Sequence, residues 1–519
     1  MKELVYHRLL LPSANRNANK PCVTNAATGV TSTFAEHLER VGRAAAALQQ
    51  LGVGRSDRFA VLALNSPEYL ELYHAAFLGA GVINPLNLRF APAELAYVLK
   101  DSGSTVCFVD ALFAPVIESV KEEAGLSTIV LIGDGDLPGA IRYEELLASI
   151  APEIPDEGEE SDPVILMYTG GTTGMPKGVL LDQRAEMLNM YHVMMTLGWT
   201  NTVVNLIQTP MFHAATMFGI TGAPAIGAHT VILPGFEPSA VLRAIDVYQP
   251  NATVMVPTMI GLLMAHAEFT PEALAPLKDL VYGASPMPQA LLEKVLALYP
   301  DMDIWQGYGM TECSAVLTLL GPTEHRAGGD YLRSAGKPMT GVVLSIRDEE
   351  DNELGPGETG EVCARSGNFM VEYWNKPEAT DEAFRNGWYR SGDEGYLDED
   401  GYLFLVDRVK DMIVTGGENV YSIEVENALA SHAAVQQVAV IGIPHDVWGE
   451  MVHAVVVLKD KTMATAEDLI EHARSRIAGY KVPKSVEFRK DPLPLSGAMK
   501  VLKRELREPY WKNHERGIS

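Results

Sequence analysis

The sequence predicts an α/β protein with a large N-terminal domain and a smaller α+β domain at its C-terminal end. Three observations support this fold class. The chain has 519 residues, 47% of them apolar and 21% charged, so it is long enough for more than one domain and apolar enough to fold. Helical and strand patterns alternate through residues 1–110, and shorter α+β patterns follow residue 405.

The N-terminal pattern is typical of βαβ units around a largely parallel sheet. Helical periodicity covers residues 36–51, 67–80 and 92–100, and short β-type runs cover residues 58–64 and 105–109. Glycines and Asn-Pro turns separate these patterns. We therefore assign residues 1–406 to the N-terminal domain.

The C-terminal pattern begins after a dense charge cluster at residues 407–411, which we take as a domain boundary. Helical patterns then alternate with strand-like runs, and we expect residues 412–519 to form the second domain. The helical patterns cover residues 422–431 and 465–477, and the strand-like runs cover residues 435–443 and 453–458.

The net charge of the chain is −26, because 67 Asp and Glu outnumber 41 Lys and Arg. Nucleic acids and anionic membranes are bound by clustered cations, so we predict no nucleic-acid partner. Taken alone, the negative net charge also argues against an anionic substrate. A basic excess is nevertheless found at residues 480–519, where ten Lys and Arg accompany five Asp and Glu.

Four cysteines, far apart and without a CxxC pair, suggest neither a disulfide framework nor a zinc site, and we expect a cytoplasmic protein. His7 and Arg8 interrupt the apolar residues near the N-terminus, so no signal peptide is expected. Residues 187–236 carry no charged side chain, but Pro, Gly and His interrupt them. We therefore predict no transmembrane segment, and expect buried elements that wall an apolar pocket.

The most informative segment is a glycine-rich loop at residues 168–179, which follows an apolar run. Its glycines let backbone N–H groups close around phosphate oxygens, its threonine hydroxyls add donors, and its lysine adds charge. A Walker A loop is excluded, because Pro176 stands where the second glycine is required and no Ser or Thr follows Lys177. The candidate phosphate-binding residues are Thr169, Gly170, Gly171, Thr172, Thr173, Gly174 and Lys177.

This loop resembles the phosphate-binding signature of the adenylate-forming superfamily, which includes AMP-forming acyl-CoA synthetases, aryl-CoA ligases, luciferases and peptide-synthetase adenylation domains. Members usually have Ser or Thr at the position of Gly170. The resemblance implies an N-terminal domain of βαβ-type sheets with a β-barrel-like part, and a small mobile C-terminal domain. It also implies ATP, Mg²⁺ and coenzyme A as cofactors, and a small-molecule carboxylic acid as substrate.

Six further segments resemble other blocks of the superfamily, in the usual order along the chain. Residues 210–213 resemble the segment beside the acyl pocket, and residues 283–286 and 306–312 the segments around adenine and magnesium. Residues 388–393, 407–410 and 415–418 resemble the ribose block, the hinge and the pantetheine loop, respectively. The residues that this resemblance implies for cofactor binding are Gly283, Ala284, Ser285, Pro286, Gln306, Gly307, Tyr308, Gly309, Thr311, Asp393, Arg408, Lys410, Gly416 and Gly417.

The resemblance also implies catalytic roles. Transfer of a carboxylate to the α-phosphate of ATP gathers negative charge, which a metal ion and lysines can neutralise. Glu312 is the implied magnesium ligand, with neighbouring Thr311 as a further catalytic residue; the alternative for Glu312 is an exposed carboxylate at a helix start. Asp393 could instead be a turn-forming residue. His213 is either a core histidine or a ring that gates the approach of the thiol.

Residues 493–506 resemble the block that carries the catalytic lysine. Counting back from the basic pair Lys503-Arg504 places that lysine at Lys500, with Lys503 as the alternative. Its role would be to orient the substrate carboxylate and stabilise the transition state. One departure is Met499, where the superfamily usually has a glycine, because a side chain restricts the backbone there.

The predicted acid is bulky and apolar. Twelve of the 21 methionines lie within residues 187–310, and methionine adapts to irregular apolar shapes. This favours a medium- or long-chain fatty acid, while aryl and sterol side-chain acids, a carrier protein as acceptor, and a homodimer all stay open. The small residues expected to leave room in the pocket are Ala214, Ala215, Gly219, Gly307 and Gly309.

Overall fold

A computed structural model of the chain describes residues 2–169, 175–285, 287–408, 412–415, 418–445, 448–497 and 499–512, with the backbone alone at residues 407, 408, 418 and 419. It contains a large N-terminal α/β part, a curled antiparallel sheet and a small C-terminal α+β part. The predicted fold class is confirmed.

The described part of the chain forms 27 strands. In chain order they are β1 (Pro21–Asn25), β2 (Thr31–Thr33), β3 (Arg58–Leu62), β4 (Val82–Pro85), β5 (Val106–Asp110), β6 (Thr128–Ile132), β7 (Ile141–Arg142), β8 (Pro163–Thr169), β9 (Lys177–Asp182), β10 (Val204–Ile207), β11 (His229–Ile232), β12 (Ala252–Met255), β13 (Asp279–Gly283), β14 (Asp303–Tyr308), β15 (Thr318–Leu320), β16 (Lys337–Pro338), β17 (Val343–Arg347), β18 (Gly360–Arg365), β19 (Glu372–Tyr373), β20 (Phe384–Arg385), β21 (Trp388–Leu397), β22 (Leu403–Arg408), β23 (Ile413–Thr415), β24 (Glu418–Val420), β25 (Val435–His445), β26 (Gly449–Leu458) and β27 (Ser485–Arg489).

The same part of the chain forms 16 α-helices. They are α1 (His7–Arg16), α2 (Phe34–Gln50), α3 (Pro67–Ala75), α4 (Pro92–Ser102), α5 (Ala114–Ala124), α6 (Tyr143–Ala148), α7 (Gln183–Leu197), α8 (Met217–Ala225), α9 (Pro238–Tyr248), α10 (Pro257–Ala265), α11 (Gln289–Leu298), α12 (Pro322–Ala327), α13 (Pro377–Ala383), α14 (Ser422–Ala430), α15 (Ala466–Arg474) and α16 (Lys503–Trp511).

Several helices begin where the sequence provides a capping residue. At α2, Thr33 accepts a hydrogen bond from the backbone N–H of Glu36, whose carboxylate accepts one from the Thr33 N–H in return. Thr465 forms the same reciprocal pair with Asp468 at α15. Helix α15 ends at Arg474, three residues before the end of its predicted pattern.

Two large mixed sheets form the N-terminal part. The nine-stranded sheet has the order β16-β15-β14-β13-β12-β10-β11-β1-β2, and the eight-stranded sheet has the order β19-β9-β8-β4-β3-β5-β6-β7. Strands β1, β11, β10, β12, β13 and β14 run parallel, as do β8, β4, β3, β5, β6 and β7. The predicted βαβ organisation is therefore confirmed.

Strand alternation explains how these sheets are layered. On β3, Phe59 and Val61 enter the largest apolar cluster, whereas Ala60 and Leu62 enter a second cluster with α4 and α5. The largest cluster also takes residues from α2, α3, α7, α8 and the nine-stranded sheet, so these helices lie between the two sheets. The opposite face of the nine-stranded sheet packs on α9, α10 and α11.

Two smaller sheets complete the structure. Strands β17, β18, β21 and β20, with β22 paired to β21, form the curled antiparallel sheet that corresponds to the predicted barrel-like part. In the C-terminal part, β24, β23, β26 and β25, with β27 on β26, carry α14 and α15 on one face and α16 on the other. Among the described residues, every helix is too short or too polar to cross a lipid bilayer.

Candidate active site

A cleft of about 2810 Å³ is lined by residues of both parts of the chain. One side of it is the carboxyl edge of the nine-stranded sheet, where the parallel strands β12, β13 and β14 end. Side chains and loops that follow parallel strands meet at this edge, which is where α/β sheets usually bind ligands. The predicted segments 210–213, 283–285 and 306–312 all contribute to the lining.

Two antiparallel strands flank the glycine-rich loop. These strands, β8 and β9, pair with Thr169 opposite Lys177. The hydroxyl of Tyr168 donates a hydrogen bond to Asp101 on α4 at 2.6 Å, which fixes the end of β8. The predicted residues Gly170, Gly171, Thr172, Thr173 and Gly174 lie outside the described residues.

Tyr373 connects two of the predicted residues, and sequence reasoning missed it. Its hydroxyl donates a hydrogen bond to Glu312 Oε1 at 2.7 Å, and its ring centroid lies 5.1 Å from Lys177 Nζ. Strand β19, which carries Tyr373, pairs with β9, so Tyr373 lies opposite Val179. Burial, and then the Glu312 carboxylate, raise the pKa of Tyr373, which therefore remains a hydrogen-bond donor.

Glu312 lines the cleft on a short 3₁₀ turn, Thr311–Cys313. No group of three or more His, Cys, Asp or Glu that could hold a metal ion occurs within the residues that the structure describes. Mg²⁺ usually keeps several waters and binds one or two carboxylates together with substrate phosphates. A single carboxylate that lines the cleft, linked through Tyr373 to the predicted phosphate-binding residue Lys177, fits that requirement, so Glu312 is the residue that would hold Mg²⁺.

The segments predicted to surround adenine pass close to each other. Gly283 on β13 lies opposite Gly307 on β14, and a Cβ added to Gly283 would lie 2.3 Å from the Gly307 carbonyl oxygen. Only glycine allows this approach. Ala284 follows with φ of +66°, and Ser285 lines the cleft beside it, whereas Pro286 lies outside the described residues.

Gln306 and Tyr308 extend from the same strand. Gln306 Oε1 accepts a hydrogen bond from Tyr282 at 3.0 Å. The Tyr308 hydroxyl donates to Asp393 Oδ2 at 2.8 Å, so the predicted adenine and ribose residues are in contact. Asp393 faces Arg408 across the β21–β22 pair, but only the backbone of Arg408 is described.

His213 lies on the wall of the cleft. Its Nδ1 accepts the backbone N–H of Ala215 at 3.2 Å, so the neutral ring carries its proton on Nε2. Burial, and then the positive charge of Lys500, lower the pKa of His213 to about 3. His213 and Lys500 thus line the same cleft, and both burial and the Lys500 charge favour the neutral imidazole.

The two candidate lysines have different surroundings. Lys503 Nζ lies 2.7 Å from Glu426 Oε1 and 2.6 Å from Ser422 Oγ, an ion pair within the C-terminal part. Both lysines line the cleft, but Lys500 lies on a turn that contacts the N-terminal part. This arrangement favours Lys500 as the lysine that meets a substrate.

The sequence also did not predict the contacts between the Lys500 turn and the N-terminal part. The Arg89 guanidinium donates a hydrogen bond to the Leu495 carbonyl, and Thr258 Oγ1 donates to the Met499 carbonyl at 3.2 Å. Their partners lie more than 200 positions away, and no local sequence signal marks them. The predicted Lys410, Gly416 and Gly417 lie outside the described residues.

The apolar wall of the cleft differs in part from the prediction. Ala214, Ala215 and Gly307 line it as expected. Gly219 does not: it lies in the buried helix α8, and a Cβ there would lie 2.9 Å from Asn205 Nδ2. Gly309 lines the wall as expected, and because a Cβ there would lie 2.1 Å from the Ala315 carbonyl oxygen, backbone packing also requires this glycine. The larger apolar residues of the wall include Phe212, Phe218, Met255, Val281 and Val316.

Comparison with known protein families gives two matches. The family described as "AMP-binding enzyme" matches residues 11–374, and the one described as "AMP-binding enzyme C-terminal domain" matches residues 424–500.

Individual relatives are similar in sequence to this chain over nearly its whole length. A feruloyl-CoA synthase of an Amycolatopsis species is 36% identical over 485 residues, covering 93% of this chain and 94% of that protein. The long-chain-fatty-acid–CoA ligase FadD13 of Mycobacterium tuberculosis is 34% identical, with coverages of 93% and 94%. The fatty acid–[acyl-carrier-protein] ligase ScoC of Streptomyces coeruleorubidus is 34% identical, with coverages of 95% and 94%. The structure of o-succinylbenzoate CoA synthetase from Bacillus subtilis with its acyl-adenylate superposes with a TM-score of 0.84 at 29% identity, covering 98% of this chain and 99% of that one.

Proposed function

This chain belongs to the AMP-binding enzyme family, and from that premise we propose that it activates a hydrophobic carboxylic acid with ATP and transfers the acyl group to coenzyme A. In the first step a carboxylate oxygen bonds to the α-phosphorus of ATP and pyrophosphate leaves. In the second step the thiol sulfur bonds to the acyl carbon, its proton passes to solvent, and AMP leaves.

The observation that carries this proposal is that Lys500 and His213 line the same cleft. The positive charge of Lys500 is close enough to depress the pKa of His213, which adjoins the apolar residues Phe212 and Ala214. A carboxylate whose apolar chain lies along that wall would therefore present its head group to Lys500. The lysine would orient the carboxylate and oppose the charge that develops on the phosphoryl group.

The polar half of the cleft suits a nucleoside triphosphate. Lys177 adjoins the phosphate-binding loop, and Asp393, aligned by the Tyr308 hydroxyl, can accept hydrogen bonds from ribose hydroxyls. Bound Mg²⁺ would supply Lewis-acid charge next to the phosphates, and Glu312 is the residue that would hold it. Tyr373 fixes the orientation of the Glu312 carboxylate for that role.

We propose a medium- or long-chain fatty acid as the substrate. The wall beside His213 is apolar, with Ala214, Ala215 and Gly307 as its small members. A relative of 34% identity is named a long-chain-fatty-acid–CoA ligase. An aryl acid is the second candidate, because a relative of 36% identity is named a feruloyl-CoA synthase.

The acyl acceptor is the other open choice. ScoC, at 34% identity, is named as a ligase that acts on an acyl-carrier protein, so a carrier protein is the alternative to coenzyme A. The predicted pantetheine loop at Gly416 and Gly417 would serve either acceptor, because both present the same pantetheine arm. We place the hinge between the two domains at residues 407–411, with the N-terminal domain ending at residue 406.

A panel of carboxylic acids with ATP, Mg²⁺ and coenzyme A tests the proposal, with AMP and acyl-CoA measured by chromatography. We expect AMP and thioester in equal amounts, and faster turnover with octanoate to palmitate than with ferulate or acetate. Formation of AMP without thioester for every acid would contradict coenzyme A as the acceptor and favour a carrier protein. A preference for ferulate would contradict a fatty acid as the substrate and favour an aryl acid.

A further inference from the structure

The turn that carries Lys500 is closed by its own backbone. Leu495 and Val501 form an antiparallel bridge across it. The Ser496 N–H donates to the Lys500 carbonyl at 2.7 Å, and the Lys500 N–H donates to Ser496 Oγ at 3.1 Å. The Met499 N–H donates to the Ser496 carbonyl at 2.9 Å. These contacts fix the conformation of the turn around Lys500.

Met499 has φ of +62°, in the left-handed region that favours glycine. A side chain at this angle is unfavourable, because Cβ approaches the carbonyl oxygen too closely. Glycine would close the same turn without this strain. Met499 therefore occupies a position where its side chain makes the turn itself less stable, so any favourable contribution of this side chain must come from its contacts outside the turn.

That contribution is contact with the N-terminal part. The Met499 side chain is half-buried against the apolar cluster that contains Val256, Met259 and Ile260 of the α10 region. The carbonyl of the same residue accepts a hydrogen bond from Thr258 Oγ1 at 3.2 Å. Side chain and backbone of Met499 thus hold the turn against the wall that Lys500 faces.

The neighbouring residues leave little freedom for the turn. A Cβ added to Gly497 would lie 2.3 Å from Asn87 Oδ1 and 3.0 Å from Phe212 Cζ, so the turn is closely seated on the N-terminal part. Arg89 adds a hydrogen bond to the Leu495 carbonyl. Met499, directly before Lys500, contributes an apolar side chain to this contact from the C-terminal part.

We propose that Met499 is a positioning residue that anchors the Lys500 turn in the arrangement that forms the acyl-adenylate. This inference rests on the proposed two-step function. The contacts of Met499 with the N-terminal part exist only while the turn lies against that part. They therefore favour the first step, in which Lys500 acts. They contribute nothing to thioester formation from acyl-AMP that is already bound, a step in which Lys500 has no role.

Met499→Gly separates the two contributions, because it removes the side-chain contact and relieves the strain of the turn. We expect the rate of acyl-AMP formation, measured as pyrophosphate release, to fall about fivefold. This decrease in rate corresponds to the free energy of a half-buried apolar contact. The rate of thioester formation from supplied acyl-AMP and coenzyme A should stay unchanged or rise. Met499→Leu keeps an apolar side chain and should retain the first step. Met463→Gly, at a fully exposed methionine of the same domain, is the matched control.

Thr258→Val provides a second, independent variant, because it removes the hydrogen bond to the Met499 carbonyl without altering the turn. It should show the same selective loss of the first step. Equal loss of both steps in Met499→Gly, or an unchanged first step in both variants, overturns the inference alone, provided that the wild-type chain performs both steps. A wild-type chain that forms no acyl-AMP with any acid overturns the proposed function and this inference together.

Discussion

The Tyr373 hydroxyl holds the Glu312 carboxylate through a hydrogen bond of 2.7 Å, although the two residues are 61 positions apart. The ring of Tyr373 also lies 5.1 Å from the ammonium of Lys177. One aromatic side chain thus contacts the carboxylate proposed to hold Mg²⁺ and the lysine next to the predicted phosphate-binding loop. The polar half of the cleft depends on this residue as much as on the predicted motifs.

Tyr373→Phe should lower the rate of acyl-AMP formation about tenfold, because a hydrogen bond to a charged group is lost. The Mg²⁺ concentration that gives half the maximal rate should rise, since the carboxylate is no longer oriented. Tyr402→Phe is the matched control, because the Tyr402 hydroxyl donates to Glu324 at 2.9 Å at a position that does not line the cleft. Equal Mg²⁺ dependence in the wild type and Tyr373→Phe would contradict the assigned role.

The pH dependence of the second step should not contain an ionisation of His213. Its pKa of about 3 lies below the value of an unfolded histidine, so its stabilising contribution is complete above about pH 6.5 and is lost as the pH falls. Between about pH 5 and pH 9 the ring is neutral. We expect His213→Gln to lower the rate of thioester formation by the same factor across this range. A pH–rate profile that loses an ionisation near neutrality in the variant would refute the neutral assignment.

Two glycines of the same strand segment should respond oppositely to alanine. A Cβ at Gly309 would lie 2.1 Å from the Ala315 carbonyl oxygen, so Gly309→Ala should destabilise the protein by about 1–3 kcal/mol. A Cβ at Gly307 meets its nearest atoms at 3.8 Å, so Gly307→Ala should leave the free energy of unfolding unchanged. Gly307→Ala should instead reduce turnover of the bulkiest acids, because it narrows the wall. Denaturant unfolding and the acid panel measure both effects, and a destabilised Gly307→Ala protein would contradict them.

Stability should also depend on Glu186, a buried residue of α7. Burial raises its pKa from 4.5 to about 8, an effect that the nearby Ser314 hydroxyl partly opposes. The folded protein therefore keeps this proton over a range in which the unfolded chain has lost it, so stability falls as the pH rises from about 4.5 to about 8. Glu186→Gln should gain stability relative to the wild type over this window, by at most about 1.4 kcal/mol per pH unit. Unfolding measured at several pH values tests this, with exposed Glu39→Gln as control, and a pH-independent difference would contradict it.

The sequence predicted those features that lie in contiguous segments. The βαβ organisation and the positions of Glu312 and Asp393 in the cleft follow from local patterns, because each depends on residues that are close together in the sequence. Tyr373 could not be found in this way, since the pairing of β19 with β9 brings it to Glu312.

Other features could not be predicted from the sequence, because they depend on how distant segments pack together. Gly219 was expected in the acyl pocket but faces Asn205, because a sequence does not show which face of a fully apolar helix meets the cleft. Arg89 contacts Leu495 across 406 positions. The substitution of Met499 for glycine was visible in the sequence, but its left-handed backbone and its contact with the N-terminal part were not.

The most direct test of the account compares Lys500→Ala with Lys503→Ala in the two half-reactions. Lys500 faces the cleft beside His213, whereas Lys503 is paired with Glu426. Lys500→Ala should reduce acyl-AMP formation from acid and ATP by about 100-fold or more, and spare thioester formation from supplied acyl-AMP. Lys503→Ala should retain the first half-reaction. Loss of acyl-AMP formation in Lys503→Ala alone, or equal loss of both half-reactions in Lys500→Ala, would contradict the account.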